Sequence, residues 1–163
     1  MSTCPPLAAR MLALGLLLAG CPEGEPIEPG PSALSLEVGT GRQFTPLAEG
    51  GTLLLQRGCQ NSQHLFVSLR AWGLPPDPVM VDLSLTRTED GQRVAPAFRV
   101  RYLFAQGTGD APDELTGLLL QLPNPEPAVG RTVRLVASVE TDAGKIVEDA
   151  HTGPLEWGPS ACP

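Results

Sequence analysis

The sequence is poor in histidine and lacks the common catalytic motifs. It has two histidines, His64 and His151, and it lacks the GxSxG, HExxH, P-loop and dinucleotide-binding glycine motifs. The motifs of serine hydrolases, zinc proteases, P-loop nucleoside triphosphatases and dinucleotide-dependent oxidoreductases are therefore missing. We expect a protein that is not an enzyme and binds no cofactor.

Positive charge and aromatic side chains are also scarce. The chain has 11 Lys and Arg against 18 Asp and Glu, a net charge of -7, and Lys145 is its only lysine. Phosphate backbones are bound by clustered basic side chains, so nucleic acid is not an expected partner. The aromatic fraction is 4%, which leaves Leu, Val and Ala to build the core. Carbohydrate-binding surfaces display several aromatic rings, so this composition gives such a module little support.

The N-terminus has the composition of a secretory signal. Arg10 is the only charged residue before an apolar run at residues 11–19, and that run is shorter than the roughly 20 residues a bilayer-spanning helix needs. The run ends in Leu18-Ala19-Gly20-Cys21, which has the form of a lipobox. We predict a signal peptide at residues 1–20, cleaved between Gly20 and Cys21. The alternative is an ordinary cleaved signal in which Cys21 has no special role.

This N-terminal region resembles that of bacterial lipoproteins. The resemblance implies that Cys21 is diacylated and becomes the new N-terminus, since two acyl chains anchor a protein stably where one does not. It places the protein in the bacterial cell envelope, attached through its N-terminal lipid, with the outer membrane favoured over the inner. Cleavage removes Arg10 and leaves 10 basic against 18 acidic residues, a net charge of -8.

The leader also sorts the four cysteines. Cys4 is removed, Cys21 carries the lipid, and Cys59 and Cys162 remain in an exported chain, where the oxidising compartment favours a disulfide between them. Metal binding is the poorer interpretation, because neither cysteine belongs to a CxxC pair and two thiols make half of a zinc site.

Residues 21–33 form a tether rich in proline and glutamate. Residues 22–31 contain four prolines and three glutamates, a composition that stays extended and does not pack into a core. The remaining chain, residues 34–163, has the length of one domain.

Short segments with a period of two run through that domain. Leu65, Val67, Leu69 and Ala71 are predicted to face the core from a strand over Gln63–Trp72, and Val79, Val81, Leu83 and Leu85 from the next strand. Asp90-Gly91 predicts a hairpin turn. Residues 115–122 are apolar on both faces and predict a central strand. Further strands are predicted near residues 34–38, 98–104, 132–140 and 145–157, and the apolar run at residues 53–55 is predicted to be edge structure that wraps the sheet.

About seven strands without a helix predict an all-β fold, an antiparallel immunoglobulin-like or fibronectin-like sandwich, preceded by a signal helix and a Pro/Glu linker. With the strand near Gln63 as strand B and the last strand as G, the start of B and the end of G lie at the same end of the sandwich. Cys59 and Cys162 flank these two points, so a disulfide there would clamp the C-terminus to the base of strand B.

Three stretches resemble the start of uncharacterised lipoproteins from myxobacteria. They are residues 44–50, 53–55 and 63–74, with the sequences FTPLAEG, LLL and QHLFVSLRAWGL. The resemblance implies an envelope location and a β-rich domain, and it supplies no catalytic residues.

The candidate binding patch lies on the polar side of the Gln63–Trp72 strand and consists of His64, Phe66, Arg70 and Trp72. Aromatic side chains interleaved with charge are typical of an interface. The alternative is that residues 39–56 fold over these side chains. His151 follows two acids, Glu148 and Asp149, and is interpreted as part of a solvated bend before Gly153-Pro154.

No metal is expected, and the weak candidates for a calcium site are Asp110, Asp113 and Glu114, since hard cations need several carboxylate oxygens. We expect a non-enzymatic envelope module that binds a protein or polymer of the envelope or serves a structural role. The alternative is an envelope enzyme or metal-dependent accessory protein that uses His64, His151 or the acidic loop.

Overall fold

The structure, a computed structural model, describes residues 33–58 and 62–159 as nine β-strands joined by turns. Within these two ranges there is no helix, and so none that could cross a membrane. The signal peptide, the tether up to residue 32, Cys59 and Cys162 lie outside the described residues. The strands are β1 (Ser35–Thr40), β2 (Thr45–Pro46), β3 (Leu53–Arg57), β4 (Gln63–Trp72), β5 (Val79–Arg87), β6 (Phe98–Tyr102), β7 (Asp113–Gln121), β8 (Thr132–Glu140) and β9 (Ile146–Trp157).

The nine strands form one mixed sheet that curls into a half-barrel. Their order is β2-β1-β4-β3-β9-β8-β5-β6, and β7 pairs with the edge of β4 that faces away from β1. The all-β prediction is confirmed, but the count of about seven strands was too low. The prediction of a purely antiparallel sheet was also wrong, because β3 and β9 run parallel, with Leu53 opposite Leu155 and Leu55 opposite Trp157.

The core follows from the alternation in the sequence. Side chains on successive residues of a strand point to opposite faces, and the predicted inward sets of β4 and β5 are at most 1% exposed. Leu135, Ala137 and Val139 of β8 complete the same core, which is almost entirely aliphatic. Burying such side chains stabilises each by about 1.5–3 kcal/mol relative to leaving them exposed, so this core is the main source of stability.

The Asp90-Gly91 turn also forms as predicted. Gly91 has a φ of 68°, and the flanking chain pairs through a bridge between Thr86 and Arg93.

The predicted place of one strand within the sheet was wrong. Residues 115–122 were expected to form a central strand, but β7 is an edge strand whose ladder is with β4 alone. Leu118 and Leu120 are buried, whereas Leu119 points outward and is 47% exposed. An apolar run on both faces therefore does not mark a central strand here.

A buried serine joins three strands on the outer side of β4. Ser68 is fully buried; its hydroxyl donates to the Gly41 carbonyl at 2.8 Å and accepts the Gly117 N–H at 3.1 Å. Gly117 has a φ of 70° and lies at the bulge where the register of β7 against β4 shifts. A bulge of this kind needs the left-handed conformation that glycine adopts without steric cost. The turn after β1 is thereby attached to β7 across β4.

We predict that Ser68→Ala lowers the free energy of unfolding by about 1–2 kcal/mol, because it leaves the partly buried Gly117 N–H and Gly41 carbonyl without their partner. Ser138→Ala is the matched control: Ser138 is half-buried on the outward side of β8, and its loss should change stability by less than about 0.5 kcal/mol. Denaturant unfolding of both variants measures the difference. Equal effects of the two substitutions would contradict the bridging role of Ser68.

Candidate functional site

The predicted patch lies on the outer side of β4, where its four side chains share one face of the strand. The structure places them in two pairs. His64 and Phe66 are each 8% exposed, whereas Arg70 and Trp72 are half-buried. Only the second pair is therefore accessible to a partner without rearrangement.

Arg42 covers the first pair. Its guanidinium carbon lies 4.9 Å from the centre of the Phe66 ring, and the His64 ring meets Phe66 edge-on with centroids 4.9 Å apart and planes at 86°. A guanidinium stacked above an aromatic ring is a favourable cation–π contact. The alternative expectation, that residues 39–56 fold over these aromatics, therefore describes Phe66 correctly.

Burial and the neighbouring charge affect the titration of His64. Burial disfavours the charged imidazolium and is the larger cause, and the positive charge of Arg42 acts in the same direction. The pKa of His64 is thus lowered from its ordinary value of 6.5. At neutral pH the side chain is a neutral ring packed against Phe66.

Arg70 is held from two sides. Its guanidinium carbon lies 4.1 Å from the centre of the Phe44 ring, and its Nε donates to Glu114 Oε1 at 2.8 Å. Glu114 stands directly opposite Arg70 in the ladder between β4 and β7. A Cβ on Gly39 would lie 2.7 Å from the Phe44 ring, so the absence of a side chain at Gly39 makes room for the ring. An anion that binds Arg70 would have to compete with Glu114.

Arg42 and Phe44 are the members of this cluster that the sequence did not reveal. Both come from the turn between β1 and β2, and they reach β4 because β1 pairs with it along the whole length of β1. The glycines at positions 39 and 41 were the only local signal, since they permit close approach of a neighbouring chain.

His151 lies in β9 and is 7% exposed, so its assignment to a solvated bend was wrong. Its Nε2 lies 2.7 Å from the Gly51 carbonyl oxygen. On the same side of β9, Asp149 Oδ2 accepts the Val38 N–H at 2.7 Å. These two side chains line an open cleft of about 620 Å³ between β1 and β9, with Glu37 and Glu49 on its other side.

The acids proposed for calcium do not converge on one point. Asp113 Oδ1 accepts the Gly107 N–H at 2.9 Å, Glu114 pairs with Arg70, and Asp110 is exposed in the turn before β7. Over residues 33–58 and 62–159, no group of three or more His, Cys, Asp or Glu is arranged to hold a metal ion.

A mainly apolar cleft of about 590 Å³ lies where the described chain begins. Ala33 and Leu34 form one side, and the loops after β4 and β8 form the other, with Leu74, Pro75 and Lys145 among the lining residues. The polar side chains named above stack on rings, form ion pairs or bond to the backbone.

Comparison with known proteins gives no match. No family model, no curated protein and no solved structure is similar to this chain at a significant level.

We predict that His64 makes unfolding depend on pH. Because the folded-state pKa of His64 is lowered, the unfolded chain binds more protons between that pKa and 6.5. The contribution of His64 to stability is therefore complete above pH 6.5 and is lost as the pH falls towards the folded-state pKa. His64→Gln should flatten this part of the curve of unfolding free energy against pH.

Arg42→Gln is the companion variant, and it should weaken the same slope without removing it, because burial remains the larger cause. Urea unfolding at a series of pH values provides the curves. A slope near pH 6 that is identical in the wild type and in His64→Gln would contradict the lowered pKa.

Proposed function

We propose that the protein is a lipid-anchored lipoprotein of the bacterial cell envelope, whose β domain is a non-enzymatic binding or structural module. The observation that carries this proposal is the lipobox Leu18-Ala19-Gly20-Cys21 after a short apolar run. Two acyl chains on Cys21 would hold the chain stably at a membrane surface. The outer membrane is the favoured location.

The segment that follows supports this arrangement. Residues 22–31 combine four prolines with three glutamates, and a chain of this kind extends by about 3 Å per residue. A spacer of roughly 30 Å results, and the first strand of the domain begins shortly after it, at Ser35. Such a spacer would hold the domain clear of the lipid head groups, where a partner could reach it.

We also propose that the curled sheet is an immunoglobulin-like sandwich. Its ladders fall into two groups, β2-β1-β4-β7 and β9-β8-β5-β6, and β3 connects them through β4 and β9. With β4, β5, β8 and β9 as strands B, C, F and G, the parallel pairing of β3 with β9 corresponds to the parallel contact that the strand before B makes with strand G in such a fold. The two groups contribute to one aliphatic core, as the two inner faces of a sandwich do.

The use of the polar side chains favours a binding or structural role over catalysis. His151 and Asp149 bond to backbone groups, and Glu114 is paired with Arg70. The net negative charge of the cleaved chain argues against nucleic acid as the partner.

A disulfide between Cys59 and Cys162 belongs to the same proposal. The strands that precede the two cysteines, β3 and β9, are parallel neighbours, and the Gly158 N–H donates to the Leu55 carbonyl at 2.8 Å. The chain therefore leaves both strands at the same end of the domain, at Gly58 and Pro159. This arrangement supports the pairing of cysteines that lie one and three residues further on.

We predict that Cys21→Ser releases the protein from membranes, because the substituted chain has no thiol to acylate. Cys4→Ser is the matched control, since it removes a cysteine from the same leader but leaves Cys21 intact, and it should fractionate as the wild type does. Membrane fractionation and intact mass are the measurements. A Cys21→Ser protein that stays in the membrane fraction with an unchanged lipid mass would overturn the anchor.

We predict that protein exported to the envelope carries no free thiol at Cys59 or Cys162. Alkylation without reduction should add no mass at these positions, and alkylation after reduction should add two groups. The double variant with serine at both positions should lose up to roughly 4–5 kcal/mol of unfolding free energy, the chain-entropy value for a loop of about 100 residues. Two thiols that react before reduction would refute the disulfide.

A further inference from the structure

The edges of β6 and β7 face each other without forming a ladder. Within the described part of the chain, β6 pairs with β5 and β7 pairs with β4, and the one bridge between the two edges joins Ala105, three residues after the end of β6, to Glu114 of β7. Ala105 and Glu114 exchange both backbone hydrogen bonds there, at 2.8 and 2.9 Å. We call the gap that continues from this bridge along both strands the β6–β7 seam.

Hydrophobic side chains are concentrated at the β6–β7 seam. Among the described residues, five large hydrophobic side chains are exposed, and three of them lie here: Val100 at 39%, Leu103 at 57% and Leu119 at 47%. The rings of Phe98 and Tyr102 flank Val100 on the same side of β6, stacked with centroids 6.5 Å apart. Phe98, Val100 and Tyr102 lie on the inner side of β6, opposite core residues of β5, whereas Leu119 lies on the outer side of β7, opposite Phe66. Exposed apolar side chains on edge strands mark an interaction surface.

The backbone groups along the seam are arranged to pair with another strand. In an antiparallel ladder, alternate residues direct their N–H and C=O to opposite edges. Because Ala105 bonds towards β7, Leu103, Arg101 and Arg99 direct their backbone groups to the same side. On β7, the Leu122 N–H bonds towards β4 at Gln63, so Leu119 and Gln121 direct theirs into the seam.

Two hollows lie at the end of the seam away from the bridge. A hollow of about 160 Å³ lies between Phe98 on β6 and Leu119 to Gln121 on β7. A second hollow of about 290 Å³ adjoins it at Pro96 and continues to Pro123 and Pro127. An extended chain that enters at these prolines would run along β6 towards the bridge.

Charge indicates which extended chain fits. Arg99 and Arg101 point to the outer side of β6 with side chains 54% and 50% exposed, and their acidic partners Asp82, Glu140 and Asp142 lie on the side away from the seam. A strand added at the seam lies next to the arginines, and its carboxylates would share or compete for the guanidinium groups that Asp82, Glu140 and Asp142 already bind. Cross-strand pairs of opposite charge are stabilising, and like charges directly opposite are destabilising.

The same rule disfavours a second copy of this chain. Antiparallel pairing of β6 with its own copy around Val100 would place Arg99 of one chain opposite Arg101 of the other. The repulsion between these guanidinium groups opposes such a dimer.

We propose that the β6–β7 seam binds an extended segment of a partner protein, in which acidic and apolar residues alternate, as an additional strand along β6. Its apolar side chains would pack on Phe98, Val100 and Tyr102, and its carboxylates would pair with Arg99 and Arg101. Main-chain hydrogen bonds give affinity in this mode of recognition, and alternate side chains give specificity. This inference rests on the proposed role as a binding module and assigns that role a site and a class of partner.

The test uses the full-length protein in detergent and three short fluorescent peptides. One alternates Glu with Val, the second alternates Lys with Val, and the third is the first with a central proline, which cannot donate to a ladder. We expect saturable binding of the Glu peptide by anisotropy, and binding at least about tenfold weaker for the other two. Hydrogen exchange at the Arg99 and Arg101 amides should slow when the Glu peptide is bound.

Two variants locate the site. Val100→Lys should weaken binding of the Glu peptide by about tenfold or more, whereas Ile146→Lys, at an exposed hydrophobic residue on β9, should leave it unchanged. Arg99→Glu should reverse the preference between the Glu and Lys peptides, and this reversal is read within one protein sample.

The proposal is overturned by any of three results: no saturable binding of the Glu peptide up to about 1 mM, equal binding of the peptide with the central proline, or slowed exchange at β1 or β9 instead of β6. Failure of the lipid anchor is a separate outcome, because Cys21→Ser protein should still bind the peptide. Conversely, if the protein is acylated at Cys21 but does not bind the peptide, the proposed anchor stands and the proposed binding site at the seam fails.

Discussion

The burial of aliphatic side chains on the inner side of the sheet is the constraint on which the rest of this domain depends. Leu65, Val67 and Leu69 of β4 meet the equivalent residues of β5 and β8 in one core. With so few aromatic residues in the chain, the core has to be filled by many medium-sized side chains. Each inward position of the central strands is therefore committed to packing, and any function has to use the outer faces, the edges or the loops.

The outer face of β4 is already partly occupied. Ser68 joins the turn after β1 to the bulge of β7, Arg42 covers Phe66, and Arg70 is fixed between Phe44 and Glu114. These contacts cross three strands and hold β1 and β7 on β4 from the solvent side. The patch that has the composition of an interface thus contributes mainly to the folded structure, and the exposed apolar side chains lie at the edges instead.

The sequence predicted the faces of the strands better than their neighbours. A period of two identifies the inward residues of β4, β5 and β8 because the pleat fixes it locally. The parallel contact of β3 with β9 depends on the path of the whole chain, and no local pattern contains it. The edge position of β7 was missed because its outward Leu119 makes both faces of the run apolar, and because the register shift at Gly117 depends on the pairing of β7 with β4.

The candidate site shows the same contrast between what a local pattern predicts and what tertiary contacts decide. The alternation along β4 correctly put His64, Phe66, Arg70 and Trp72 on one face, but the cover from Arg42 comes from a turn that only the tertiary structure brings there. His151 was assigned to a bend because Gly153 and Pro154 follow it, yet β9 continues through both residues to Trp157. Strand pairing with β8, where Leu135 lies opposite His151, outweighs the local preference of glycine and proline for turns.

The position of β1 has a mechanical consequence. The chain enters the described domain at Ala33, and six residues of β1, from Ser35 to Thr40, pair with β4. Hydrogen bonds in an antiparallel ladder lie perpendicular to the strands, so tension applied along β1 from its N-terminus loads these bonds in shear and shares the force among them. The bond from Val38 to Asp149 adds a transverse attachment to β9. A domain held at one end by lipid and pulled at the other by a partner would therefore resist unfolding at the strand that first takes the load.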